Sequence, residues 1–199
     1  RAGFMTMAGQ SFQVNQTGGL RGLRPGDIAI SGGGTSWMPI VLESHGTENL
    51  VTFSLCFDTN FLSFAGARLN ATFFDESFTI NGGTLTVNSN QAAQGRVGVT
   101  LVLPAGRSIE AGNQTVIEAA FRAALVGGKP MTTVSMCDTP TVRGVTDAFG
   151  QAVPIEYQNS LVRIYGDCTL GESLDAPQFT WTTPATGLWL CQTNVTHDG

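Results

Sequence analysis

The stretch FSLCFDTNFLSF, Phe53 to Phe64, alternates with period two: Phe53, Leu55 and Phe57 share one face, and Ser54, Cys56 and Asp58 share the other. Successive side chains of a strand point to opposite faces, so the pattern predicts a half-buried strand with a cysteine on its polar side. Runs of the same texture recur from Asp27 onward: DIAI, SWMPIVLES, TLTVNSN, RVGVTLVLP, MTTVSMCD, TVRGVTDA and NSLVRIY, punctuated by Gly, Pro, Asn and Asp. Short strands at regular spacing predict an all-β sandwich or barrel. No internal repeat of solenoid or propeller length is present. One segment is ambiguous. TVIEAAFRAAL, Thr115 to Leu125, consists of good helix formers, yet Ile117, Ala119, Phe121 and Ala123 alternate with Val116, Glu118, Ala120 and Arg122. The alternation favours a strand.

The two ends depart from this texture. Residues 1–26 contain one strand signal, Ser11 to Asn15, with Phe12 and Val14 at alternate positions, followed by a Gly-rich connection. They predict an extended N-terminal arm and linker. Residues 166–199 are rich in Thr and Trp and lack a long alternating run, so they predict a second arm or the opening of a further module. Trp181 and Trp189 are too apolar for a free tail, which marks them, with Phe12 and Val14, as expected interface residues of the arms. Residues 27–165 carry the complete strand set and form the expected central domain. The first residue is Arg1 rather than Met, which reads as a chain processed or excised from something longer.

Composition narrows the function classes. Charged residues make up 13% of the 199-residue chain, too few for helices laced with surface ion pairs. The net charge of -5 has no basic run behind it, which excludes phosphate neutralisation and so argues against nucleic acid and anionic membrane surfaces. No apolar run approaches the roughly 20 residues of a membrane span. Four cysteines, Cys56, Cys137, Cys168 and Cys191, show no C-x-x-C spacing, so disulfides are the expected use, with three pairings open. Any of them implies an oxidising, extracellular compartment. Sequons at Asn15, Asn70, Asn113 and Asn194 permit glycosylation there.

Catalytic chemistry finds little support. His45 lies in the turn ESHGTEN and His197 near the end, without a nucleophile elbow, and Asp75 and Glu76 read as solvated loop carboxylates. Asp58, Asp138 and Asp147 are the loop carboxylates that a calcium site would draw on, but no metal site is assigned. Gly32 to Gly34 is no phosphate loop, because no G-K-[ST] follows. Trp37 begins a core strand and reads as packing rather than as a sugar platform. The expectation is therefore a protein that is not an enzyme and needs no cofactor.

MPIVLESHGTENLVTFSLCFDTNFLSF, followed by GRVGVTLVLPAGRSIEAGNQTVIEAAFRA, resembles the cohesin-like, carbohydrate-binding-module-like domains of bacterial secreted and surface multidomain proteins. The shared pattern is a P-V-x-L strand, an F-x-L-x-F-D-x-x-x-L-x-F strand, a G-R-V-G strand ending in L-P-x-G, and an A-G strand ending in Phe. It spans roughly Asp27 to Tyr165. The resemblance implies an immunoglobulin-like, jelly-roll β-sandwich of about nine strands with extended arms. Its core would be Ile40, Leu42, Phe53, Leu55, Phe57, Val97, Val99, Leu101 and Phe121. It also implies that FSLCF lies beside TTVSMCD, which gives a Cys56–Cys137 bond and leaves Cys168 to pair with Cys191. Closing a loop of about 80 residues stabilises by roughly 4 kcal/mol on the chain-entropy argument.

Type I cohesins grip a dockerin with Asn and Asp residues just before the first aromatic of this strand, where Leu50 and Thr52 stand in this sequence. The leading expectation is accordingly a non-catalytic extracellular structural module that assembles with copies of itself, or with other surface proteins, through strand-donating arms. The alternative is a binding module for carbohydrate or a protein ligand on the outer face carrying Thr52, Ser54, Cys56, Asp58, Arg96, Thr100 and Ser135.

Overall fold

Each alternating run of the central segment forms a strand, because a strand with one apolar face is stable only when that face is covered by another sheet. A computed structural model describes residues 2–7, 10–15, 21–70, 83–126 and 130–165. The first strands are β1 (Ala2–Met7), β2 (Gln10–Asn15), β3 (Gly22–Pro25), β4 (Ile28–Ser31), β5 (Thr35–Ser44), β6 (Glu48–Cys56) and β7 (Leu62–Leu69). They are followed by β8 (Thr84–Asn88), β9 (Arg96–Val102), β10 (Gly112–Ala123), β11 (Met131–Cys137), β12 (Gly144–Asp147), β13 (Glu156–Tyr157) and β14 (Ser160–Tyr165).

One sheet runs β13-β3-β5-β10-β7 and the other β4-β14-β11-β6-β9-β8, with β12 also pairing β6. Pairing is antiparallel except for β13 with β3 and β14 with β4. If β3 and β4 count as one strand that changes sheets, the sandwich has nine long strands among the described residues, and β12 and β13 are short additions. The crossing point is Gly26, whose N–H donates to Pro39 O at 2.7 Å. A Cβ on Gly26 would sit 2.7 Å from Pro39 Cγ, so the corner needs glycine for close approach.

Phe53, Leu55, Val97, Val99 and Leu101 of one sheet face Ile40, Leu42 and Phe121 of the other, all buried, with Phe57 at the margin. Phe121 meets Phe57 and Phe64 edge-on, with centroids 5.2 Å and 6.0 Å apart. The ambiguous segment is the central strand β10, paired on both sides with β5 and β7. Its alternation is interrupted by a bulge between Thr115 and Ile117, which buries Val116 and Ile117 together.

Three expectations need correction or limitation. The linker expected up to residue 26 is in part a core strand: Leu23 of β3 is fully buried between β13 and β5, so the sandwich begins near residue 21. The run TVRGVTDA is a strand only from Gly144, since Thr141 to Arg143 form a loop. The arm strand expected at Ser11–Asn15 is β2, but it pairs with β1 in a hairpin of its own rather than standing alone. Asp75, Glu76, Cys168, Trp181, Trp189, Cys191, Asn194 and His197 lie outside the described residues.

Candidate functional site

The register of β6 with β9 and β11 decides what the expected ligand face looks like. Thr52 pairs Thr100, Ser54 pairs Gly98, Cys56 pairs Arg96, and Ser135 and Cys137 pair Cys56 and Ser54. Directly paired residues share a face, so these positions lie together on the outside of the larger sheet. Cys56 and Cys137 are diagonal neighbours there and form a disulfide, with Cα atoms 6.0 Å apart.

The face is not open, however. Asp138 to Arg143, between β11 and β12, fold back over it as a strap. Ser54 Oγ donates to Thr141 O at 2.7 Å and accepts from Thr141 N at 2.7 Å, and the serine is fully buried. Ser54 is therefore withdrawn from the ligand face, since both of its hydrogen-bonding roles are filled by the strap. Gly98 beside it has the same cause: a Cβ there would collide with Thr141 Oγ1 and lie 2.9 Å from Thr141 Cβ.

The strap is clamped at its ends. Arg143 donates to Asp138 through Nη2 and Nε, each at 2.9 Å, and its guanidinium lies 4.8 Å from the centre of the Tyr157 ring. Hydrogen bonds from the Arg143 side chain and backbone hold the Asp138 carboxyl down at about 2. Burial pushes the Tyr157 phenol up. Of the other expected face residues, Thr52 Oγ1 donates to Gly144 O at 3.1 Å and Ser135 Oγ to Cys56 O at 3.4 Å. Thr100 is half-buried, and Arg96 and Asp58 are exposed.

The carboxylates considered for calcium serve their own turns. Asp58 Oδ1 accepts from Asn60 N, and Asp147 Oδ1 accepts from Phe149 N and Gln151 N, each at 2.9 Å. Among the described residues no group of three or more His, Cys, Asp or Glu is placed to hold a metal ion. Nor is any described helix long and apolar enough to cross a membrane.

Ser44, His45 and Glu48 do come together, a juxtaposition the sequence reading missed. Glu48 is fully buried and accepts from Ser44 Oγ at 2.6 Å, from Thr47 N at 2.9 Å and from Arg21 Nε at 2.5 Å. Burial pushes its pKa up, but the bonds from Ser44, the turn amides and Arg21 outweigh it and hold the carboxyl at about 2. Ser44 is buried and is engaged by the carboxylate, and neither contact involves the His45 ring. This is a lock on the β5–β6 turn rather than a nucleophile with its base.

No protein-family model matches the chain, and no curated protein matches it. Solved structures do. The sixth cohesin of scaffoldin B from Acetivibrio cellulolyticus, in complex with the Cel5 dockerin, superposes with a TM-score of 0.59 at 14% identity, covering 75% of this chain and 100% of that one. The third cohesin of ScaC from the same organism, in complex with the ScaB dockerin, gives 0.60 at 11% identity, covering 74% and 100%. A non-cellulosomal cohesin from the hyperthermophilic archaeon Archaeoglobus fulgidus gives 0.58 at 11% identity, covering 74% and 93%. At such identities the likeness concerns the fold, and on that ground the sandwich described above is a cohesin-like β-sandwich.

Proposed function

We propose that this chain is a non-catalytic protein-interaction module of the extracellular or cell-surface kind, and that its partner is a further copy of itself engaged through the N-terminal arm. The observation that carries the first part is the cohesin-like sandwich, whose solved examples include cohesins in complex with dockerins. The Cys56–Cys137 disulfide supports the oxidising compartment. A dockerin is the less favoured partner, because Leu50 and Thr52 stand where type I cohesins have polar anchors and the strap covers Ser54.

Self-association draws its support from the hairpin. Within the described residues β1 and β2 join neither sheet of the sandwich, and an isolated two-stranded hairpin is marginal in water. Its register puts Met5, Met7, Phe12 and Val14 on one face. A hairpin so patterned gains by adding its open main-chain edge to another sheet while the apolar face is covered. The strands β7 and β8 each end a sheet, paired on one side among the described residues. A head-to-tail contact of this kind propagates into a filament where its rotation does not close into a ring.

A capture experiment separates donor from acceptor. Immobilised full-length chain is offered a version lacking residues 1–20, which retains the sandwich but has no arm to donate. Retention by the full-length chain, with none by immobilised armless chain, is the expected result. If neither retains the armless version, the partner is another surface protein and self-assembly is ruled out.

A further inference from the structure

The two margins of the core are finished differently. On the side where β3 lies against β11 the core is closed: Leu23 of β3 is fully buried, and Ile30 of the edge strand β4 is 2% exposed. On the side where β7 lies against β8 the inward residues stay half-buried. Leu85 and Val87 of β8 are of this kind, although Leu101 and Val99, their partners on β9, are buried. Phe64 and Leu69 of β7 repeat the pattern opposite buried residues of β10.

Inward residues of an edge strand are commonly less covered than those of a central one, so exposure alone does not choose between β7 and β8. The make-up of the strands does. Sheet edges are ordinarily guarded by a charge, a bulge, a proline or a very short strand. β7 carries Arg68 and a bulge opposite Ala120 and Phe121. β13 has two residues, and β4, of four, already has its inward Ile30 covered. β8, TLTVN, runs in unbroken register with β9 and has no charge, proline, glycine or bulge. Among the described residues it is paired on one side alone.

We infer, resting on the self-assembly reading, that β8 is the acceptor edge: the β1–β2 hairpin of a second copy adds to its free main-chain side, with the hairpin's apolar face continuing the row of Leu85 and Val87. The fit is one of period and charge. Apolar residues recur at every second position on donor and acceptor alike. Neither AGFMTM nor QSFQVN holds a charge, so pairing with TLTVN desolvates none. Reach argues for a second copy over the chain's own arm. From β3 around the sandwich to a strand added beyond β8 is four strand spacings and one sheet separation, about 29 Å. The six residues between Asn15 and Gly22 span at most about 22 Å.

The test compares three full-length proteins by sedimentation velocity: the intact chain, Val87→Lys, which sets an inward charge on the edge strand and blocks acceptance, and Phe12→Asp/Val14→Asp, which blocks donation. The intact chain should associate and each variant alone should be monomeric. An equimolar mixture of the two variants should form a one-to-one pair, because each supplies what the other lacks. If Val87→Lys associates as the intact chain does while the arm variant stays monomeric, the hairpin uses another edge: the β8 assignment falls and self-assembly stands. A mixture that stays monomeric also overturns the assignment, and a monomeric intact chain overturns both. Should Val87→Lys not fold, amide exchange of the isotope-labelled arm variant is read with and without excess unlabelled intact chain. Slowing of about tenfold or more at Thr84–Asn88 is expected, and slowing at β7 or β4 instead, or none, overturns the inference.

Discussion

Gly98 and Ser54 are paired across β9 and β6, and the strap uses both: the serine supplies two hydrogen bonds and the glycine supplies room. Gly98→Ala should therefore lift the strap and destabilise the sandwich by about 1–3 kcal/mol, read as a lowered denaturant midpoint with an unchanged slope. An unchanged midpoint would mean that the strap yields freely. The outward parity of Ser54 was legible in the FSLCF alternation, because parity is local. Its burial was not, since the covering residue is Thr141, 87 positions away.

Glu48 shows the same limit with larger consequences. The turn ESHGTEN is readable, but the buried carboxylate joins it to Arg21, 27 residues earlier. Its pKa lies at about 2, below the ordinary 4.5, so the folded state gains stability that is complete above pH 4.5 and is lost as pH falls towards 2. The loss should be on the order of 2 kcal/mol across that window. Glu48→Gln should be less stable at neutral pH and should flatten this part of the profile. An acid limb of equal steepness in the variant would place the titration elsewhere.

Among the elements, β6, β9 and β11 were predictable because each alternates cleanly and one face is covered along its length. β10 was harder. Its Ala, Glu and Arg content favours a helix, and the strand wins because it is central and satisfies its backbone on both sides with β5 and β7. β3 was missed for the opposite reason, since GLRGLRPG reads as a linker by its Gly and Pro. Those four residues of β3 nevertheless place Leu23 in the core. A chain spanning 27–165 should accordingly be far less stable than one spanning 21–165. Leu23 burial contributes about 1.5–3 kcal/mol, and losing Arg21 removes one charge-assisted bond to the buried Glu48 carboxylate, which keeps Ser44 and the turn amides, at a further cost of about 1.5–3 kcal/mol. Thermal melts of the two chains decide the matter, and equal midpoints would return β3 to the linker.

At the scale of the whole molecule, a disulfide-bonded, cohesin-like sandwich follows a hairpin that pairs only with itself among the described residues. The sandwich was legible because its strands announce themselves one at a time. A partner is announced less directly, here through the single face on which the β1–β2 register places Met5, Met7, Phe12 and Val14. The most direct measurement is sedimentation velocity of the intact chain against Phe12→Asp/Val14→Asp over a range of concentrations, with a thermal melt of each. The account predicts concentration-dependent association of the intact chain, its loss in the double variant, and the same melting transition for both sandwiches. Identical sedimentation of the two proteins, whether as monomers or as assemblies, would contradict it.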